Sequence, residues 1–124
     1  MTTHDEPIQR LISALADLEQ AAQDNLERSR RLQRRARSLR KRLEAGATLT
    51  ALVEAEQPPR MVELLTSNMV TLETAGAEFR AAQAMALRAE GLTIEAIAEL
   101  FGVTRQRISA LLRQRAAARV AGDG

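Results

Sequence analysis

The stretch LTIEAIAELFGVTRQRISALLR, residues 92–113, decides how the rest of the chain is read. Its apolar spacing predicts two short helices joined by a tight turn at Phe101-Gly102-Val103. Ile94, Ile97, Ala98 and Phe101 line one face of the first helix, and Ile108, Leu111 and Leu112 line one face of the second, so both close on a common core. Ala98 is small where the helices must approach, and Gly102 stands where the turn needs positive φ without a Cβ clash. Thr93 is placed to N-cap the first helix, with Glu95 in its positive first turn and Leu92 positioned to staple onto Ile97. Thr104 repeats the device for the second helix, with Val103 positioned to staple onto Ile108.

The second helix leaves Arg105, Gln106, Ser109, Ala110 and Arg113 off the core face. Arg, Gln and Ser side chains carry donors that suit base edges or phosphates in a major groove. At these residues the chain resembles the helix-turn-helix of bacterial transcription regulators. The likeness is greatest to region 4 of sigma factors, in the pattern Leu92-Thr93-Ile94-Glu95-Ala96-Ile97-Ala98 followed by Gly102-Val103-Thr104-Arg105-Gln106-Arg107-Ile108. The resemblance implies that the second helix enters the major groove of double-stranded DNA. It implies base contacts from Arg105, Gln106 and Ser109 and backbone contacts from Thr104, Arg107 and Arg113. It covers only the C-terminal third, and the N-terminal half shows no counterpart of the promoter-melting and polymerase-binding regions of a sigma factor.

Composition narrows the remainder. Aromatic residues make up 2% of the 124 residues, Trp and Tyr are absent, and Ala, Leu, Arg and Glu dominate, which favours long helices over sheets and predicts an all-α fold. Without cysteine there are no disulfides or thiolate metal sites, and His4 stands alone, so no metal or cofactor is expected. Neither a secretory signal nor an apolar membrane span is present, and the expected setting is the cytoplasm. With one isolated His, no Cys, no Gly-rich phosphate loop and no paired carboxylates in a plausible pocket, an enzyme is not expected.

The net charge of +2 conceals an uneven distribution. From Arg28 to Arg42 the chain carries bases with no acid between them, and Arg105, Arg107, Arg113, Arg115 and Arg119 form a second acid-free run. Between them lies a mostly acidic middle. Two basic regions flanking it point to nucleic acid as the partner of both.

Upstream, a long helix is predicted from Pro7 to Ala45, opened by Asp5 or Glu6 and closed by Gly46. Ile8, Leu11, Leu15, Leu18, Ala22, Asn25, Ser29, Leu32, Ala36, Leu39 and Leu43 form a heptad-like seam, with Asn25 and Ser29 as a polar interruption able to fix register. The arginines of this helix, among them Arg31, Arg34, Arg35 and Arg37, either add auxiliary phosphate contacts or pair with Glu63, Glu73 and Glu78 of a neighbouring helix. A connector from Gly46 to Pro59 holds a short helix over Leu49 to Ala55, whose Leu49, Leu52 and Val53 cover the hairpin end. A second long helix runs from Arg60 to Glu90 with a seam of Met61, Leu65, Asn68, Leu72, Ala75, Phe79, Ala82 and Ala86. Gly76 within it costs about 1 kcal/mol relative to Ala unless it permits close contact or a bend. The end of this helix, with Phe79, Ala82, Ala86 and Leu87, supplies a third helix for the helix-turn-helix to close on.

The expected architecture is a long antiparallel helical hairpin, coiled-coil-like, followed by a C-terminal helix-turn-helix. Residues 1–59 form the dimerisation stalk, 60–91 a second long helix shared by the stalk and the DNA-binding module, 92–115 the helix-turn-helix and 116–124 a flexible tail. The expected function is DNA binding as a transcriptional regulator or nucleoid-associated protein, as a homodimer through the long helices. The alternative is an adaptor that binds transcription machinery rather than DNA.

Overall fold

A computed structural model describes residues 5–113, so His4 and the expected tail over 116–124 lie outside it. The described residues form helices and connections, with no strand among them. Helix α1 spans Asp5–Glu44, α2 Leu49–Glu54, α3 Met61–Ala89 and α4 Ile94–Phe101. A last helix, α5, occupies 105–113. At 40 residues α1 is about 60 Å long. Three of the helices stop in the same way. Past α1, α3 and α4 the residue after a positive-φ glycine donates back to a carbonyl five residues earlier: Ala47 to Arg42, Leu92 to Leu87 and Val103 to Ala98, at 3.0–3.1 Å.

The chain divides into two compact units, one formed by Met1–Leu18 with Ala75–Gly124 and the other by Glu19–Thr74. Both α1 and α3 contribute to each. In the first unit, Ile97 and Ile108 are wholly buried and cluster with Ala84, Ala98 and Leu111; Leu87, Leu92, Ile94, Phe101 and Leu112 pack around them. Helix α3 is buried here on two sides. Ala84 and Leu87 meet the cluster, whereas Ala82 and Ala86, two residues out of phase with Ala84, lie on the far side and are also buried. The predicted third-helix face was therefore misplaced in part: Leu87 belongs to the cluster, but its α3 partner is Ala84. Small side chains at 81, 82, 84 and 86 let other elements approach α3 closely from both directions.

The unit Glu19–Thr74 is built differently. Ala21 and Leu64 are its only fully buried apolar residues. The predicted seams are correct at every second position and displaced by one residue at the others. Leu32 and Leu39 of α1, and Met61 and Asn68 of α3, are partly covered as predicted. Ala22, Ser29, Ala36, Leu43, Leu65 and Leu72 are instead exposed, and Ala21, Arg28, Arg35, Leu64 and Thr71 take the covered places. In the first unit the same displacement exposes Leu15 and buries Ala14. Both registers alternate steps of three and four, so periodicity alone does not separate them. The adopted one places alanine where backbones approach and arginine where acceptors await.

Those acceptors form a polar layer. Arg28 Nε donates to Asn68 Oδ1 at 2.6 Å, Asn68 Nδ2 donates to Ser29 Oγ at 3.3 Å, and Ser29 Oγ donates to Asn25 Oδ1 at 3.2 Å. Arg28 Nη2 is buried without an acceptor. Nearer the connector, Arg35 Nη1 donates to the Pro59 carbonyl and lies 3.8 Å from Glu56 Oε1. The same Glu56 oxygen accepts the Met61 N–H at 2.6 Å and so caps the first turn of α3. The connector covers less than predicted: only Leu52 of α2 is partly buried, with Leu49 and Val53 exposed. Thr48 caps this short helix through the Ala51 N–H.

Candidate nucleic-acid interface

The interface is assembled by the capped starts of α4 and α5. Thr93 Oγ1 accepts the Ala96 N–H at 3.1 Å, and Thr104 Oγ1 accepts the Arg107 N–H at 3.1 Å, as the sequence predicts. Between them Gly102 adopts φ 69°, ψ 33°, the left-handed conformation that turns the chain tightly enough for Ile97 and Ile108 to share one core. Arg88 Nη1 donates to the Leu92 carbonyl at 2.9 Å and ties down the turn that feeds α4. Val103 is 42% exposed, and the Thr104 hydroxyl caps the second N-terminus.

With Ile108 and Leu111 directed inward, the 3.6-residue repeat carries Gln106, Ser109 and Arg113 to the far side of α5 and Arg105 to the flank beside them. These four line one concavity of about 280 Å³. Arg105, Gln106 and Arg113 are exposed and Ser109 is partly covered. The predicted base-contacting residues and one predicted backbone contact are thus together. Arg107 is exposed but projects away from the concavity, and Thr104 serves first as the helix cap.

Of the predicted auxiliary phosphate contacts, Arg31, Arg34 and Arg37 are exposed and no described residue pairs with them. Arg35 is engaged inside its unit by Pro59 and Glu56. Arg30, Arg34, Arg37 and Lys41, at steps of four, three and four, form one outward stripe of α1.

One neighbour of the candidate site was not read from the sequence as such. Glu95 Oε1 pairs with Arg105 Nη1 at 3.1 Å. Glu95 had a sufficient local explanation in the dipole of α4, and its partner lies ten residues away across the turn. Among the described residues, no group of three or more His, Cys, Asp or Glu is placed to hold a metal ion, and no helix is long and apolar enough to cross a membrane.

Residues 77–122 match the sequence model of a family described as a homeodomain-like domain, a helix-turn-helix DNA-binding domain. The match begins within α3 and includes α4 and α5. Neither the curated proteins nor the solved structures offer a match.

Proposed function

We propose that this chain is a transcriptional regulator that reads DNA through α5 and acts as a homodimer through its long helices. The observation that carries the reading is the single concave face on which Arg105, Gln106, Ser109 and Arg113 converge. Arginine suits guanine O6 and N7, glutamine suits adenine N6 and N7, and the hydroxyl of Ser109 beside them can assist either. Thr104 and Arg107 flank this face as backbone contacts. The Thr104 oxygen accepts the Arg107 N–H, which leaves its own hydrogen free to donate to a phosphate. The family match at residues 77–122 supports DNA binding by this helix-turn-helix, and the sigma-region-4-like motif supports a role in transcription.

Dimerisation is supported by what Glu19–Thr74 leaves uncovered. Leu26, Val62, Leu65, Met69 and Leu72 are between 41% and 72% exposed in a unit with little core of its own. A second copy covering them would also let two reading helices engage two half-sites.

A second reading, sequence-independent binding of the nucleoid-associated kind, is favoured by the outward stripe of Arg30, Arg34, Arg37 and Lys41, with Arg31 beside it. One experiment separates the two. Purified full-length protein is used to recover genomic DNA fragments at moderate salt, with Arg105→Ala/Gln106→Ala as control. A short enriched motif that vanishes in the control is the expected result, with each lost bidentate contact costing about 1–3 kcal/mol of discrimination. Broad recovery that is indifferent to the control and lost with salt would replace the regulator with the nucleoid-type binder. No recovery would overturn DNA binding and leave the adaptor that binds transcription machinery.

A further inference from the structure

Glu95 stands in the first turn of α4, and Arg105 is the first residue of α5. Their side chains meet at 3.1 Å while remaining 69% and 65% exposed, respectively. An ion pair so open to water contributes little to folding. The helix dipole alone would suffice to explain an acid at Glu95. Yet this carboxylate lies beside the residues expected to meet a polyanion, where its sign is wrong for phosphate. That placement lowers affinity for any duplex, so a compensating gain is to be sought in discrimination.

We propose that Glu95 is a specificity-determining residue that positions Arg105 for a guanine edge in duplex DNA; this rests on the DNA-reading function above. The guanidinium carries five N–H donors in a rigid planar fork. Glu95 engages Nη1, which biases the orientation of the guanidinium and leaves Nε and Nη2 free as a pair for O6 and N7. Held in this way, Arg105 loses fewer conformations on binding the correct base. When a duplex covers the pair, water is excluded and the attraction strengthens, so the arrangement matters most in the complex. On a wrong sequence, Arg105 must turn to a phosphate to recover a partner. That movement strands the Glu95 carboxylate next to the backbone, where like charges repel. The acid thus penalises non-specific docking while supporting specific docking.

The test uses the full chain, a duplex bearing its selected motif, the same duplex altered one base pair at a time, and a random duplex. The pair read by Arg105 is the one at which Arg105→Ala loses discrimination. Glu95→Gln, which keeps size and removes charge, is expected to bind random duplex about threefold or more tightly at low salt. At the Arg105 pair it is expected to lose about fivefold or more in discrimination, with other positions unchanged. In the Arg105→Ala background the same substitution should alter discrimination nowhere. Unchanged discrimination in Glu95→Gln, or an equal change with and without Arg105, overturns the inference while leaving the regulator reading intact. A wild-type protein with no preferred sequence overturns both.

Discussion

The two units of this chain solve the same problem, joining helices, with different materials. Around α4 and α5 the helices meet over Ile97, Ile108 and Leu111, each no more than 5% exposed, with alanines filling the close approaches. Between Glu19 and Thr74 the helices meet over Leu64 and Ala21 and then over a polar layer of Arg28, Asn68, Ser29 and Asn25. The first arrangement is non-directional and gains free energy from every methylene it buries. The second is directional: hydrogen bonds fix which residues face each other and add little net stability. The contrast separates rigidity from register. A reading surface needs its side chains held in place by a packed core, whereas a helical hairpin with so little apolar core needs directional contacts to define its register.

The largest expected effect breaks the first half of this comparison. Ile108→Ala empties a site at the centre of the α4–α5 cluster and should cost about 2–5 kcal/mol, measured by thermal or denaturant unfolding. Because Ile108 lies between Arg107 and Ser109, DNA recovery should fail together with stability. Leu64→Ala removes a similar volume from the Glu19–Thr74 unit. It should cost less, since few buried neighbours hold the cavity open. Equal costs would mean that the hairpin has an apolar core comparable to that of the reading unit.

Next in size is the effect of charging the uncovered side of the hairpin. Leu65 and Met69 lie one helical turn apart on α3 and are 50% and 72% exposed. Leu65→Glu/Met69→Glu should leave the helicity of the protein unchanged and weaken self-association on the order of 100-fold, followed by sedimentation across a concentration series. That loss equals about 2.7 kcal/mol. A wild-type protein that sediments as a monomer at every concentration would refute the homodimer, and the exposed leucines would then have another explanation.

How much of this was legible from the sequence follows the same division. The helix-turn-helix could be read nearly residue by residue because each signal was local: a threonine three residues before the N–H it caps, a glycine at the one left-handed position, an apolar repeat on each helix. The hairpin could be read only as two helices with a polar break at Asn25 and Ser29. Its seam admitted two registers one residue apart, and the choice depended on contacts about 40 residues away, such as Arg28 with Asn68. Arg35 shows the same: as part of a basic run it admits a phosphate contact or a glutamate partner on a neighbouring helix, while in the fold it holds the Pro59 carbonyl and lies beside Glu56 of the connector. Glu95 escaped notice because a sufficient local explanation concealed a longer-range one. Gly76 proved less demanding than either use foreseen for it, since a Cβ there would meet only the end of the flexible Arg80 side chain, at 3.4 Å.

The smallest expected effect sharpens the comparison, because it asks what the polar layer contributes. Arg28 has one donor satisfied by Asn68 and another, Nη2, buried with no acceptor. Asn68→Ala withdraws the only side chain that accepts from Arg28 Nε and leaves more of a charged group unmatched. It should destabilise the protein by about 1–2 kcal/mol in denaturant unfolding. Arg28→Leu combined with Asn68→Leu removes both partners and replaces them with apolar groups, which should be neutral or stabilising, since an imperfectly paired charge is costly to hold away from water. Stability is then restored but the directional contacts are gone. With leucine at both places, neighbouring registers become closer in free energy, and cysteine pairs placed across the hairpin for the native and the shifted register should both crosslink. If the double substitution keeps a single crosslinking register, alignment of α1 with α3 resides in the alanine contacts and the connector. If it costs as much as Asn68→Ala alone, the layer supplies net stability, and the hairpin resembles the reading unit more than its composition implies.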